Sequence, residues 1–355
     1  MKAQTEETED EGHRKGLTRR HVIAGGAGIA GTAAIAAATG AYVKFLTPSA
    51  DLRDYSDYLI NDQRSLHAGE VRVTFLGTTT LLVDDGATQL LFDAFISDVS
   101  LGTAIFGEVQ SDTAKVDATL SLVGADRVKG IFISHSHYDH VLDAPHIARR
   151  TGAVLHGSAS TLNVGRGGGV SETQLQKYQV GEPIRVGDFT VTVLASKHSP
   201  GTKGGDGTPI THPLRQPAKA GDYLEGGSYD FHVAHGAHSI LVKASAGYLP
   251  GALDGVQADA MFCGTAGSMG KDAEFRLAFY EQAVAKVAPK IFVPLHWNNF
   301  FQPVTNHLSA NMRAIDDVAA SWDFLIEKFD STHTEFALLE GFSSIILFGA
   351  TGRAT

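Results

Sequence analysis

The sequence predicts an α/β fold, and three observations carry that reading. Short apolar or alternating runs of strand length recur from residue 71 to residue 348, with stretches of helical spacing between them. Glycine is abundant, 39 of 355 residues, which favours a loop-rich α/β chain over a helical bundle. Several of the strand-like runs end at a histidine, and loops fed by strand ends are where such architectures place their chemistry.

The sharpest of these runs is Ile131-Phe132-Ile133-Ser134-His135-Ser136-His137-Tyr138-Asp139-His140. An apolar stretch reads as a buried strand, and the ligand-type residues lie just past its end. His135 and His137 are two apart, so in an extended segment both imidazoles point to the same side. Asp139 and His140 follow as the chain turns and reach the same region from another direction. Neutral imidazole and carboxylate suit zinc, iron or manganese. A single histidine here would be an ordinary polar loop residue, whereas the whole set directly after an apolar strand argues for a metal.

The segment has the form H-x-H-x-D-H, and on it the sequence resembles the metallo-β-lactamase-fold superfamily of metallohydrolases. The resemblance implies an αββα sandwich over residues ~71–350, two mixed sheets flanked by helices, around a centre of one or two metal ions.

Composition narrows the function classes. A net charge of −10 offers no basic footprint for nucleic acid. The single cysteine, Cys263, excludes an internal disulfide framework and a thiolate zinc cluster, and its apolar neighbours Met261 and Phe262 read as a buried strand.

In chain order, residues 1–16 are polar and read as disordered. Arg19-Arg20 then precedes a Gly/Ala-rich apolar stretch that ends at Phe45-Leu46, which resembles a twin-arginine export signal. Residues 1–46 are therefore assigned to export through the twin-arginine machinery, to the periplasm or the outer side of the membrane. The small residues Ala36-Ala37-Ala38 suit cleavage, and the run from His21 to Leu46 is long enough at ~20 residues to stay as an anchor. Both outcomes stay open. The first 46 residues carry six basic and five acidic side chains, so their removal leaves the acidic balance unchanged.

Residues 47–70 read as a polar lead-in, with the catalytic domain over 71–355. Val71–Gly77, Leu81–Gly86 and Gln89–Asp93 read as a β-meander with an Asp85-Gly86 turn. By the resemblance, Asp93 orients a metal-binding loop from behind the ligands. Residues 98–125 read as a loop and a helix, and 143–151 as a helix. Val154–Gly157 reads as a strand whose His156 faces either the site or, more simply, solvent. Gly165–Gly169 lacks the Gly-Lys-Ser/Thr ending of a phosphate loop and reads as a flexible turn. Thr190–Ala195 is an alternating strand running toward His198, and residues 200–228 form an irregular insertion placed to cover the site. Phe231–His235 and Ser239–Lys243 read as a hairpin, 272–287 as a helix stopping before Pro289, and Lys290–Leu295 as a strand ending at His296-Trp297. Trp297, Phe300 and Phe301 either wall a substrate or pack in the core. Residues 308–348 suggest one helix and a closing strand pair.

The resemblance implies that His135, His137 and His198 hold one metal and that Asp139, His140 and His296 hold the other. Asp139 would also accept a proton from the attacking water, which makes it the catalytic candidate. The chain departs from the family at Ser245, which stands where a bridging aspartate is usual. A neutral hydroxyl contributes no charge to offset a second dication, so either one metal suffices, or a nearby group such as Asp259 substitutes, or the centre is impaired. The turn around Gly77-Thr78-Thr79-Thr80 and the bare third-motif histidine look most like the branch of ascorbate-phosphate lactonases and N-acyl-phosphatidylethanolamine phospholipases. The reading is thus a metal-dependent hydrolase, zinc before manganese or iron, acting on a small or lipid-like ester, lactone or phosphodiester. The alternative is a non-hydrolytic metal-binding protein, or an iron-dependent oxygen enzyme, of the same fold.

Overall fold

The computed structural model describes residues 45–200 and 204–349, and residues from Pro48 onward form one unit. The export signal expected over residues 1–46 lies outside the described residues except for Phe45 and Leu46. Among the described residues no helix is long and apolar enough to cross a membrane.

Among the described residues, fourteen strands form two mixed sheets of seven. The first contains Val71–Phe75 (β1), Leu81–Asp84 (β2), Gln89–Phe92 (β3), Val128–Phe132 (β4), Val154–Gly157 (β5) and Leu175–Lys177 (β6). The second contains Pro183–Val186 (β7), Phe189–Ala195 (β8), Tyr229–His235 (β9), His238–Lys243 (β10), Ala260–Gly264 (β11), Ile291–Leu295 (β12) and Glu335–Phe336 (β13). The last strand, Ser344–Leu347 (β14), returns to the first sheet. The orders are β14-β1-β2-β3-β4-β5-β6 and β13-β12-β11-β10-β9-β8-β7. β1–β2, β2–β3 and β9–β10 pair antiparallel across short turns and β8–β9 antiparallel across the long insertion, whereas β3–β4, β4–β5 and β11–β12 pair parallel through helical crossovers and β10–β11 parallel through a loop.

Period-2 alternation sets the layers. Val71, Val73 and Phe75 of β1 and Leu90 and Phe92 of β3 pack toward Phe189, Val191, Val193, Phe231 and Val233 of the second sheet. Their neighbours Leu82, Leu91 and Ile131 point the other way, into a second core with the helices Thr113–Leu122 and Ala144–Thr151. The second sheet is covered by Ala273–Val287, a helix relaxed through a π-turn at Tyr280–Val284, and by Val318–Thr332. Parallel strands buried on both faces have to be continuously apolar, and β11 and β12 are buried at every position. Cys263 lies inside β11, fully buried.

The structure corrects four readings. His156 faces neither site nor solvent: it is buried and its ring stacks on Phe132, its partner across β4–β5, with centroids 4.5 Å apart. That burial lowers its imidazole to about 4, so it packs as a neutral ring. Gly165 and Gly167 are not in a flexible turn but in the helix Ala159–Gly167. A Cβ on Gly167 would collide with the backbone of Leu214, so glycine there serves a close approach of chains. The lead-in at residues 48–60 packs on the domain, with Tyr55 edge-on to Trp322 at 4.9 Å and its hydroxyl donating to Asp323. The two closing strands do not pair with one another. β13 extends the second sheet from β12, whereas β14 flanks β1.

Candidate metal centre

The sheets place four chain segments at one end of the sandwich. β4 stops at Phe132, the chain bends at Ser134, and the extended His137 leads into the short helix Tyr138–Val141. β8 leads to His198, β10 to Ser245, and β12 to His296. In parallel neighbours all strand ends fall on the same side, so distant residues converge.

Two groups of possible ligands result. The donor atoms of His135, His137 and His198 lie within 4.8 Å of one another, and so do those of Asp139, His140 and His296. The groups abut: the rings of His135 and His140 have centroids 3.8 Å apart. Asp139 Oδ2 lies 3.2 Å from His296 Nε2 and 3.7 Å from His140 Nε2.

A buried web behind the ligands holds them. His140 Nδ1–H donates to Asp93 Oδ2 at 2.8 Å, which leaves Nε2 free for a metal. Asp93 also accepts from the Ser134 amide, the Ser134 hydroxyl and the Thr79 hydroxyl, at 2.7, 2.9 and 2.6 Å. Asp93 reaches this position with φ +51°, a left-handed conformation that a non-glycine residue adopts only when its surroundings hold it. His296 is likewise at φ +61°; its amide donates to Thr78 O at 2.6 Å and its carbonyl accepts from Asn311 Nδ2 at 3.0 Å. Such strain concentrates at functional sites.

Electrostatics favours ligation. Burial, reinforced by the neighbouring imidazoles, holds His135 far below its ordinary value. Burial also lowers His137, and it brings His198 to about 4, with His137 adding to the effect. These rings are therefore neutral lone-pair donors. For Asp139, burial raises the carboxyl, but His140, His296 and His137 together outweigh it and hold it below the usual carboxylate range. Among the described residues, His135 Nε2 is buried without a hydrogen-bond partner. A buried unsatisfied nitrogen is costly, and a metal bound by the ring would relieve the cost at its donor atom. The donor set of imidazoles and one carboxylate thus fits a divalent metal such as zinc, manganese or iron.

Ser245 and Asp259 fall in different places. Ser245 is at the site, lining the cavity, and its hydroxyl accepts from the Ser199 amide at 2.9 Å. Asp259 is excluded as a substitute ligand. It precedes β11 at the opposite end of the sheet, where it accepts from the Ser239 amide and pairs with Lys290 and His238.

A cavity of about 330 Å³ opens onto both ligand groups. The insertion supplies one wall, through Gly204, Ala220, Gly221, Tyr223 and Leu224. Within it the buried Glu225 carboxylate accepts from the Gly207 amide and the Ser228 hydroxyl; the Ser136 amide of the histidine motif donates to Glu225 O at 2.9 Å, and Gly204 O lies 3.2 Å from His137 Nε2. Phe300 and Phe301 also line the cavity, and Phe300 stands edge-on to His296 at 5.2 Å. Trp297, by contrast, is fully buried between Phe75 and Trp322. Thr79, Ser134 and Glu225 were not singled out from sequence. Their hydroxyls and carboxylate acquire roles only through partners 14 to 41 positions away for Asp93, or across a loop for Glu225.

A family model described as a beta-lactamase superfamily domain matches residues 88–297. A metal-dependent hydrolase of Anaeromyxobacter sp. (strain K) is 28% identical over 241 residues, spanning 65% of this chain and 76% of the relative. A metal-dependent hydrolase of Methanopyrus kandleri is 24% identical over 262 residues, spanning 72% of this chain and 96% of the relative. Among solved structures, a mutant of the β-hydroxylase CmlA, known from Streptomyces venezuelae, superposes with TM-score 0.50 at 15% identity, over 80% of this chain and 54% of that one. At that identity the likeness concerns the fold alone.

Proposed function

From the premise that this chain belongs to the metallo-β-lactamase superfamily and is a metal-dependent hydrolase, we propose that it cleaves an ester, lactone or phosphodiester with a metal-activated water. One observation carries the proposal: two three-residue donor groups meet at the floor of a single cavity. His135, His137 and His198 would hold one ion, and Asp139, His140 and His296 the other. Zinc is the proposed metal, and manganese or iron also suits these donors. When bound, such ions lower the pKa of a coordinated water toward ~7 and polarise the scissile carbonyl or phosphoryl oxygen.

The chain's own groups do the rest. Asp139, ionised at neutral pH and facing the cavity, accepts the proton that the attacking water gives up and passes it toward the leaving oxygen. Asp93 fixes the tautomer of His140, and the insertion, tied to the histidine motif by the Ser136 amide donating to Glu225 O, covers the site so that bulk water is limited. The turn at Gly77–Thr80 and the single strand-end His198 support a place near the lactonase and phospholipase branch. Arg19-Arg20 ahead of the Gly/Ala-rich stretch supports twin-arginine export, to the periplasm or to an anchor on the outer membrane face through residues 21–46.

The test is turnover of purified, metal-loaded protein on a panel of lactones, esters, phosphodiesters and β-lactams, beside His137→Ala and His296→Ala. The wild type should cleave at least one class, and each variant should lose at least about a hundredfold in kcat/KM. Wild-type turnover unchanged in His137→Ala, or no turnover of any class, would refute the reading.

A further inference from the structure

The cavity wall has a chemistry that the ligand groups do not explain. Away from the imidazoles, Asp139, Ser199 and Ser245, the large side chains lining the cavity are Tyr138, Tyr223, Leu224, Phe300, Phe301 and Ile315, on three different segments of the chain. Phe300 and Phe301 lie against each other with centroids 4.4 Å apart and are half-buried, not absorbed in the core. Among the described residues, no lysine or arginine lines the cavity. Leu224, Phe300 and Phe301 keep partial exposure beside the polar reaction centre, with Tyr223 buried behind them in the second core, and such a surface is disposed to cover an apolar part of a ligand. The same wall would be a poor neighbour for a charged group, because desolvation there finds no countercharge beyond the metal ligands.

We infer that the substrate is a neutral carboxylic ester or lactone whose acyl part is an apolar chain or ring, seated between Phe300–Phe301 and Tyr223–Leu224. The inference rests on the hydrolase reading above and narrows it. The reaction is balanced by water alone: the acyl carbon gains the water oxygen, the acyl C–O bond breaks, and the released proton goes by way of Asp139 to the departing alkoxide. Ile315 and Tyr138 also line the cavity, so the acyl group meets side chains from the histidine motif, the insertion and the segment after β12 together.

The experiment uses full-length metal-loaded protein and p-nitrophenyl esters from acetate through butyrate and hexanoate to octanoate, with bis-p-nitrophenyl phosphate as the anionic counterpart. The value of kcat/KM should rise about three- to fourfold per added methylene until the chain leaves the cavity. The phosphodiester should be the poorest substrate. In Phe301→Ser, and separately in Leu224→Ala, the hexanoate-to-acetate ratio of kcat/KM should fall about tenfold. Calorimetric binding of unreactive methyl ketones of increasing chain length gives a second readout that does not require turnover. Ester cleavage that is flat or falling with chain length, or a preference for the phosphodiester, would overturn the inference. If no ester is cleaved yet ketone affinity still rises with chain length, the apolar slot stands and the hydrolase reading fails. If ketone affinity is indifferent to length as well, both fail.

Discussion

Asp93 Oδ2 accepts the Nδ1 proton of His140 at 2.8 Å, and the far nitrogen of the same ring, Nε2, lies 3.7 Å from Asp139 Oδ2. One imidazole therefore joins a carboxylate that never meets the cavity to one that lines it. The buried carboxylate sets which nitrogen of His140 faces the metal position, and its own orientation is set by Ser134 and Thr79.

Asp93→Asn should weaken metal binding at the Asp139–His140–His296 group by about 10- to 100-fold, because the ring loses its anionic orienting partner. The group formed by His135, His137 and His198 should be affected much less. Competition titration with a chromophoric chelator separates the two sites. Equal weakening at both would mean that Asp93 acts through general packing instead.

Ser245 predicts unequal metal affinities. Each group offers three donors, and Ser245 stands with a neutral hydroxyl where a carboxylate would offset two dications. Stepwise chelation should remove one ion well before the second, and Ser245→Asp should narrow that gap. Metal content measured by mass spectrometry along the chelator series checks it. Two ions leaving together from the wild type would contradict the prediction.

Gly247 allows a close approach next to a ligand. A Cβ there would collide with the carbonyl oxygens of Lys197 and His198, both backbone atoms that cannot turn aside. Gly247→Ala should cost about 1–3 kcal/mol in urea unfolding, as overpacking does. It should also lower metal affinity at the His135–His137–His198 group, since His198 has to move. A variant with wild-type stability and wild-type metal binding would show that the backbone yields freely.

Acid stability should depend on Glu70. Its side chain is buried and takes a bidentate pair of hydrogen bonds from Arg64, at 2.7 and 2.8 Å, and one from the His67 amide at 2.7 Å. Arg64, opposed by burial and helped by His67, lowers its carboxyl to about 2 from an ordinary value of 4.5. The folded state holds the proton less tightly than the unfolded state, so the pair's contribution is complete above pH 4.5 and is lost as pH falls from there toward 2. With Arg64 partly exposed, that contribution is about 1 kcal/mol or less. Glu70→Gln should therefore destabilise at pH 7 and approach the wild type near pH 2, as read from urea midpoints across the pH series. A difference that stays constant with pH would count against the ion pair.

Much of the site was legible because metal ligands at strand ends leave a local signature. An apolar run ending in His135-Ser136-His137 announces both a strand and its exit, and the same pattern repeats before His198 and His296. Ser245 was legible as a departure, since its strand and following Gly247-Tyr248 keep the motif around it. What escaped was any role that depends on register between distant segments. Asp259 looked available in the sequence, yet the parallel pairing of β10 with β11 puts it beside Ser239, at the far end from Ser245. His156 lacked a local cue, because its burial comes from the pairing of β5 with β4 and β6, which sets its ring on Phe132.

By itself, then, the sequence determined the class of fold, the type of donor atoms and the strand ends that carry them. Hydrophobic period, turn residues and side-chain chemistry are local properties that a chain displays before it folds. Only the tertiary structure decided that the donors form two abutting groups, that Asp93 orients His140, and that the insertion and Phe300–Phe301 enclose one apolar cavity. Those relations depend on strand order and register in two sheets, where a shift of one residue would turn every ligand to the opposite face.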